Sequence, residues 1–353
     1  MRGVGGFRVS GILGFRRGSP PLYIVGSPAP LLGYIAFGVI DRGTNVVQVR
    51  PTTVCPLSCI FCSVDAGPRS RRRWAEYLVE PRWLASWFEE VARVKGCGVE
   101  ALVDGVGEPL SYPWIVELVE ELKGTGRAGS VAVETHGSTL TRRLVDRLWE
   151  AGLDRINFSV ETLNPDKARW LYGADWYDLG RALDAVEYAA RETGIDVHVT
   201  PVWLPGINDE DIPGIIEWAL RIGAGKRWPP VTVQKFVAHK HGRRPPGLRE
   251  VSWGEFWEWI GRLEERLGVR LRYSMEEWGM RRAPRVACGV EKGDVLKVAV
   301  VAEGWLRGEK IGVPTRGPRR LVAILGSRGV EVGSVVRVRV VRARDCIIVA
   351  RPL

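Results

Sequence analysis

Three of the six cysteines fall within eight residues, in the run Arg50-Pro-Thr-Thr-Val-Cys55-Pro-Leu-Ser-Cys59-Ile-Phe-Cys62. The spacing is C-x3-C-x2-C. Thiolates so placed can wrap three corners of an iron–sulfur cubane and leave the fourth iron open to an outside ligand. Structural zinc wants four ligands, commonly from two C-x2-C knuckles. No fourth Cys or His lies near these three, and the closest histidine in sequence is His136. The spacing therefore disfavours zinc, and an electron-transfer cluster with four cysteines also lacks its fourth ligand. Cys97, Cys288 and Cys346 are scattered singles.

Such a loop needs rigid elements on either side. Between Asn45 and Arg272, short β-type runs alternate with amphipathic stretches. Strands are expected at Val46–Arg50, Glu100–Asp104, Ser130–Glu134, Arg155–Val160, Asp196–Val202, Val231–Phe236 and Val269–Arg272. Helices are expected at Trp83–Val94, Tyr112–Lys123, Leu140–Ala151, Tyr177–Arg191, Asp209–Arg221 and Trp253–Leu267, each with apolar residues three and four apart. Strict alternation implies an α/β fold with a parallel sheet and helical crossovers, and one outer helix layer implies a full or partial barrel. A flat doubly wound sheet is the alternative. The cysteine loop then follows the first strand of the alternating region.

The cysteine motif and this alternation resemble the radical S-adenosylmethionine (SAM) superfamily across residues 46–272. The resemblance implies a partial (βα)6, TIM-like barrel holding a [4Fe-4S] cluster on Cys55, Cys59 and Cys62. It also implies that the open iron binds SAM and delivers an electron to its sulfonium, releasing a 5′-deoxyadenosyl radical. Phe61, the aromatic before the third cysteine, would lie beside the adenine. Asp104-Gly-Val-Gly107-Glu108-Pro109 would be the turn that takes the SAM amino group, its glycines allowing close approach. Further SAM contacts are expected at the ends of later strands: Thr135 and His136, then Ser159 and Glu161. A histidine at a strand end is as readily explained by ordinary hydrogen bonding.

The chain has a second motif-bearing region. After Pro284 come only short glycine-separated strands, expected at Val295–Val301, Leu321–Leu325, Val335–Val341 and Cys346–Ala350. They predict a small β-barrel of OB-like size over residues 289–353. Basic residues outnumber acidic ones by seven from Gly293 onward, so most of the excess charge sits here. This tail resembles the TRAM domain of radical SAM tRNA methylthiotransferases, although no cysteine of a second cluster precedes Cys55. The likeness implies RNA contacts from Arg337 and Arg339 on an exposed face and from Trp305 stacking on a base. A solvated strand and a core tryptophan are the plainer readings. Arg285-Val-Ala-Cys288-Gly289 resembles a segment of the radical SAM adenosine C2/C8 methyltransferases, which makes Cys288 a candidate methyl carrier. A small buried structural cysteine is the alternative. The basic runs Arg69–Arg73 and His239–Arg244 are expected on the catalytic rim.

Length and composition are compatible with this organisation. The 353 residues carry a formal charge of +10, with 45% hydrophobic and 26% charged residues. Two or three domains are expected: a β extension over 1–45, the barrel over 46–284 and the tail over 289–353. No apolar run suits a membrane span or a signal peptide, so a cytoplasmic location is expected. The positive charge favours a polyanionic partner. The reading is a SAM-cleaving enzyme that modifies a base in tRNA or rRNA, fed by a reducing electron donor. A radical SAM enzyme for a small molecule or peptide, and an RNA-binding protein with a structural cluster, are the rivals.

Overall fold

The computed structural model describes residues 12–15 and 20–353, so residues 1–11 and 16–19 of the expected N-terminal extension lie outside the described residues. The chain forms two compact units. The first comprises residues up to Val54, Arg71–Gly129 and Arg282–Leu353; the second comprises Cys55–Ser70 and Ser130–Arg281. Among the described residues, no helix is long and apolar enough to cross a membrane.

In the first unit, β1 (Ile12–Phe15) pairs antiparallel with β2 (Leu22–Val25). β3 (Gly38–Asp41) pairs antiparallel with β4 (Val46–Arg50). β5 (Glu76–Val79) runs parallel to β2, completing a three-stranded sheet. α1 (Pro81–Lys95) starts on a proline, which costs nothing where the first amide has no helical partner. It buries Leu84, Phe88 and Val91 on one face. β6 (Val99–Val103) is parallel to β4, and α2 (Ile115–Gly124) packs on α1.

The second unit repeats a β-then-α rhythm. β7 (Ala128–Thr135) leads to α3 (Arg142–Glu150), and β8 (Arg155–Phe158) leads to α4 (Pro165–Tyr172) and α5 (Leu179–Glu192). β9 (Asp196–Val199) completes a parallel run β7-β8-β9. β10 (Val202–Trp203), α6 (Asp211–Arg221), β11 (Gln234–Lys235) and α7 (Trp253–Leu267) follow. Side-chain caps fix several helix starts: Thr141 on α3, Asn164 on α4, Asp178 on α5, and a Ser252/Glu255 capping box on α7. Each such cap contributes about 1 kcal/mol.

Three expectations are corrected here. Val269–Arg272 forms no strand: Gly268 ends α7 in the left-handed region, and the Leu271 and Arg272 amides donate to the Glu264 carboxylate instead of to a sheet. Val231–Phe236 is reduced to β11, which pairs parallel with β10, and a single parallel bridge from Val231 to Val199 of β9. Asp196–Val202 is split at Thr200-Pro201, where proline has no amide for a ladder. α4, lying between Arg155–Val160 and Tyr177–Arg191, was not expected at all.

The remainder of the first unit is a closed five-stranded barrel. Its strands are β12 (Val295–Glu303), β13 (Glu309–Pro314), β14 (Val322–Leu325), β15 (Val335–Arg342) and β16 (Val349–Pro352), ordered β12-β13-β14-β16-β15. β14 and β16 run parallel; the other pairs are antiparallel. Val298, Val300, Ile324, Val338, Val340 and Ile348 fill the interior. β13 falls in a stretch dense in glycine and charge, which conceals it from pattern reading. Gly312 is packed closely there: a Cβ would meet the Ile324 and Val298 side chains at 2.9 and 3.1 Å.

Within this unit the barrel is anchored by buried polar contacts. Tyr34 donates to Glu309 Oε2 at 3.1 Å and accepts from the Trp305 amide at 3.0 Å. Burial pushes the Glu309 carboxyl up to about 7, against the Tyr34 hydrogen bond, which pulls it down. A carboxyl raised in the folded state contributes stability that is full below the unfolded value of 4.5 and is lost as pH rises through about 7. Glu309→Gln should therefore reduce the fall in melting temperature between pH 5 and pH 8, checked by thermal unfolding at stepped pH.

Candidate functional site

The three cysteines occupy a loop without regular structure, between Cys55 and Cys62 in the second unit. The end of α4 pins this loop. The Ser58 amide donates to the Tyr172 carbonyl and the Ile60 amide to the Leu171 carbonyl, both at 2.8 Å. Gly173, the left-handed cap of α4, makes this approach possible: a Cβ there would lie 2.6 Å from the Ser58 carbonyl oxygen. Gly67 does the same against the Leu57 carbonyl. Cys59 is buried, while Cys55 and Cys62 are half-buried. Desolvation pushes the Cys59 thiol up, and the neighbouring Cys55 and Cys62 push in the same direction. Among the described residues, no three Cys, His, Asp or Glu side chains gather as tightly as a single ion requires.

Behind the loop stands a buried polar–aromatic group. The Phe61 ring meets His136 edge-on at 6.3 Å and Tyr172 at 6.4 Å, and His136 lies 4.9 Å from Tyr172. His136 Nδ1 is 3.1 Å from the Ser159 carbonyl and 3.8 Å from Glu161 Oε2. Burial lowers His136 to about 4, so it is neutral at pH 7. Glu161 is fully buried. It accepts from the Tyr172 hydroxyl at 2.8 Å and from the Val202 amide at 3.3 Å. Burial lifts its carboxyl to about 7, and those two hydrogen bonds oppose the lift. Asn208 binds the carbonyls of Glu161 and Val202, tying the segment after β8 to β10.

The structure thus brings Cys59, Phe61, His136, Ser159 and Glu161 into one neighbourhood. Ser159 Oγ is 3.1 Å from Thr200 Oγ1. Thr135 is buried, and its hydroxyl accepts from the Gly137 amide to shape the turn. Tyr172 belongs to this set but was missed, because a tyrosine at the end of an unexpected helix carries no motif.

Gly107 and Glu108 lie in the first unit, on a turn clamped to residues 52–54. The Glu108 amide donates to the Val54 carbonyl at 2.9 Å, and a Cβ on Gly107 would strike the Thr53 and Val54 carbonyls. Glu108 is buried, its carboxylate accepting from the Leu110 amide at 3.1 Å. Asp104 takes a forked pair from Arg50 at 3.1 and 2.9 Å, stiffening the entry to the turn. Arg73 donates to the Thr53 and Val106 carbonyls.

Several expected contacts land elsewhere. Trp305 is buried under the Arg73 guanidinium, 4.3 Å from its ring centre, so it is a core residue and presents no face to a base. Arg73 is buried too, and is no solvated rim residue. Arg337 and Arg339 are exposed on β15. Cys288 packs against the interior of the C-terminal barrel. The neighbouring Cys346, with Arg320, draws the Cys288 thiol down to about 7 against its burial, while Cys288 and burial push Cys346 up.

The pattern of the radical SAM superfamily matches residues 49–219. The chain belongs to the radical SAM superfamily. It is 34% identical over 347 residues to the uncharacterised protein MJ0103 of Methanocaldococcus jannaschii, covering 92% of this chain and 79% of the relative. It is 33% identical to the GTP 3',8-cyclase of Streptomyces coelicolor over 195 residues, covering 53% of each protein. The chain therefore spans about half the length of that cyclase. The crystal structure of the FeFe-hydrogenase maturase HydG from Carboxydothermus hydrogenoformans superposes with a TM-score of 0.50 at 16% identity, covering 70% of this chain and 56% of that one. That likeness is one of fold.

Radical SAM proteins use a [4Fe-4S] cluster and SAM. The thiols present suit the cluster. Cys55, Cys59 and Cys62 would supply the sulfur donors for three cluster corners, and such a cluster would supply the electron that splits the SAM sulfonium. The side-chain-free Gly107 keeps the turn closed on the strand end that leads into Cys55. Gly107→Ala should destabilise the folded chain by about 1 kcal/mol or more, because its Cβ would overpack the Thr53–Val54 backbone, as measured by thermal unfolding.

Proposed function

We propose that the chain cleaves SAM reductively at a cluster on Cys55, Cys59 and Cys62, and uses the radical to modify a base in RNA. Phe61, Gly107, Glu108, Thr135, His136, Ser159 and Glu161 are assigned to shaping the SAM site. Glu161 and His136 act there from buried, hydrogen-bonded positions.

The observation carrying the RNA assignment is a ladder of like charges on the C-terminal barrel. Arg337 sits directly opposite Lys297, and Arg339 directly opposite Arg351. All four side chains are exposed. Like charges facing each other across strands cost stability. Val295 on β12 and Val335 and Val341 on β15 are also exposed, at 41%, 51% and 38%. A face that repels itself and leaves valines in water is matched by a polyanion with apolar surface between its charges, as single-stranded RNA has.

A second reading rests on the similarity to GTP 3',8-cyclases: the substrate is a nucleoside triphosphate. The two are separable. For four phosphate contacts, the logarithm of RNA affinity should fall with log salt at a slope of about −3. Arg337→Ala together with Arg339→Ala should flatten that slope by about 1 to 2. Filter binding of total RNA over a salt series checks both. Salt-insensitive binding, or SAM cleavage stimulated by GTP and not by RNA, would favour the triphosphate.

A further inference from the structure

The run His239–Arg244 follows β11 and reads in the sequence as a surface charge cluster. One of its members is committed to the cysteine loop. The Arg243 amide donates to the Cys62 carbonyl at 2.8 Å. Its Nε lies 2.7 Å from Asp65 Oδ1, and a terminal nitrogen donates to the Ala66 carbonyl. The Arg243 side chain is 20% exposed and that of Asp65 6%, so the ion pair is largely withdrawn from solvent. Gly242 allows this approach, since a Cβ there would stand 2.9 Å from both the Cys62 and Ser63 carbonyl oxygens.

The other side of the clamp is built to receive it. Asp65 is a non-glycine residue in the left-handed region, at φ 52°. Such a conformation costs of order 1 kcal/mol and persists only where its surroundings hold it. Arg243 holds one Asp65 oxygen, and Ser70 donates to the other at 3.1 Å. The turn so fixed directs the Ala66 amide onto Cys62 Sγ at 3.2 Å. Hydrogen bonds to a ligand sulfur and charges close to a cluster tune it.

We infer that Arg243 is the positioning residue of the third cysteine: it locks Cys62–Ala66 in the shape that presents the Cys62 sulfur to the cluster, and holds a partly buried cation against the cysteine loop. This rests on the cluster assignment to Cys55, Cys59 and Cys62. A lysine in this place would keep the charge but could not both pair with Asp65 and donate to the Ala66 carbonyl as the broad guanidinium does, so the two contributions are separable.

The experiment reconstitutes wild type, Arg243→Ala, Arg243→Lys and Asp65→Asn under anaerobic conditions. It measures iron per chain, the electron paramagnetic resonance spectrum and the midpoint potential, with circular dichroism as a check of folding. Arg243→Ala should bind less iron. Its remaining cluster should be harder to reduce by about tenfold in equilibrium constant, a negative shift of about 59 mV, because a cation favours the more negative reduced state. Arg243→Lys should recover the potential but not the full iron content, and Asp65→Asn should lose iron content. If Arg243→Ala matches wild type in both iron content and potential, the inference is overturned. If it unfolds, Arg243→Lys and Asp65→Asn decide: wild-type iron content in both overturns it equally. Wild type that binds no iron would instead defeat the cluster assignment itself.

Discussion

The constraint on which this protein depends is that three thiols must be held in register by a stretch of chain with no secondary structure of its own. A loop satisfies few of its backbone groups internally, so neighbours must satisfy them. Here the last turn of α4 takes the Ser58 and Ile60 amides, and glycines at 67 and 173 remove the side chains that would hold the strands of chain apart. Arg243 takes the far side. α4 thereby serves as the wall of the cysteine loop.

Charge near the loop follows from the same need. Desolvation penalises anions, so a fully buried carboxylate beside three thiols is costly. Glu161 meets that cost with a raised pKa and two hydrogen bonds, His136 stays neutral, and the Arg243 cation opposes the rise of the Cys59 thiol. The Glu161–Tyr172–His136 group is thus a low-charge backing, suited to lie behind a cofactor that changes its own charge. In the first unit, the turn at Gly107 is fixed differently, by backbone contact with residues 52–54 and the forked Arg50–Asp104 pair.

Much of this was legible in the sequence. Cys55, Cys59 and Cys62 announced themselves by spacing, the β–α rhythm by periodicity, and the Gly105–Pro109 turn by its place after a strand. What escaped was set by tertiary contact. β13 lies among glycines and charges, so its pairing comes from the barrel and not from local preference. Val269–Arg272 has a strand's composition but spends its amides on Glu264. Trp305 looked suited to a base and is covered by Arg73, whose own basic run suggested solvent. Arg243 was hidden in the same way: a charge run does not say which of its members turns inward.

The central claim is that the cysteine loop supports reductive cleavage of SAM. The direct measurement is 5′-deoxyadenosine formed from SAM and dithionite by the anaerobically reconstituted protein, beside a Cys55→Ala/Cys59→Ala/Cys62→Ala variant. The account predicts deoxyadenosine from the wild type, increased by RNA, and none from the variant. A fully loaded wild-type protein that binds neither SAM nor yields deoxyadenosine, with RNA and with GTP present, would contradict it.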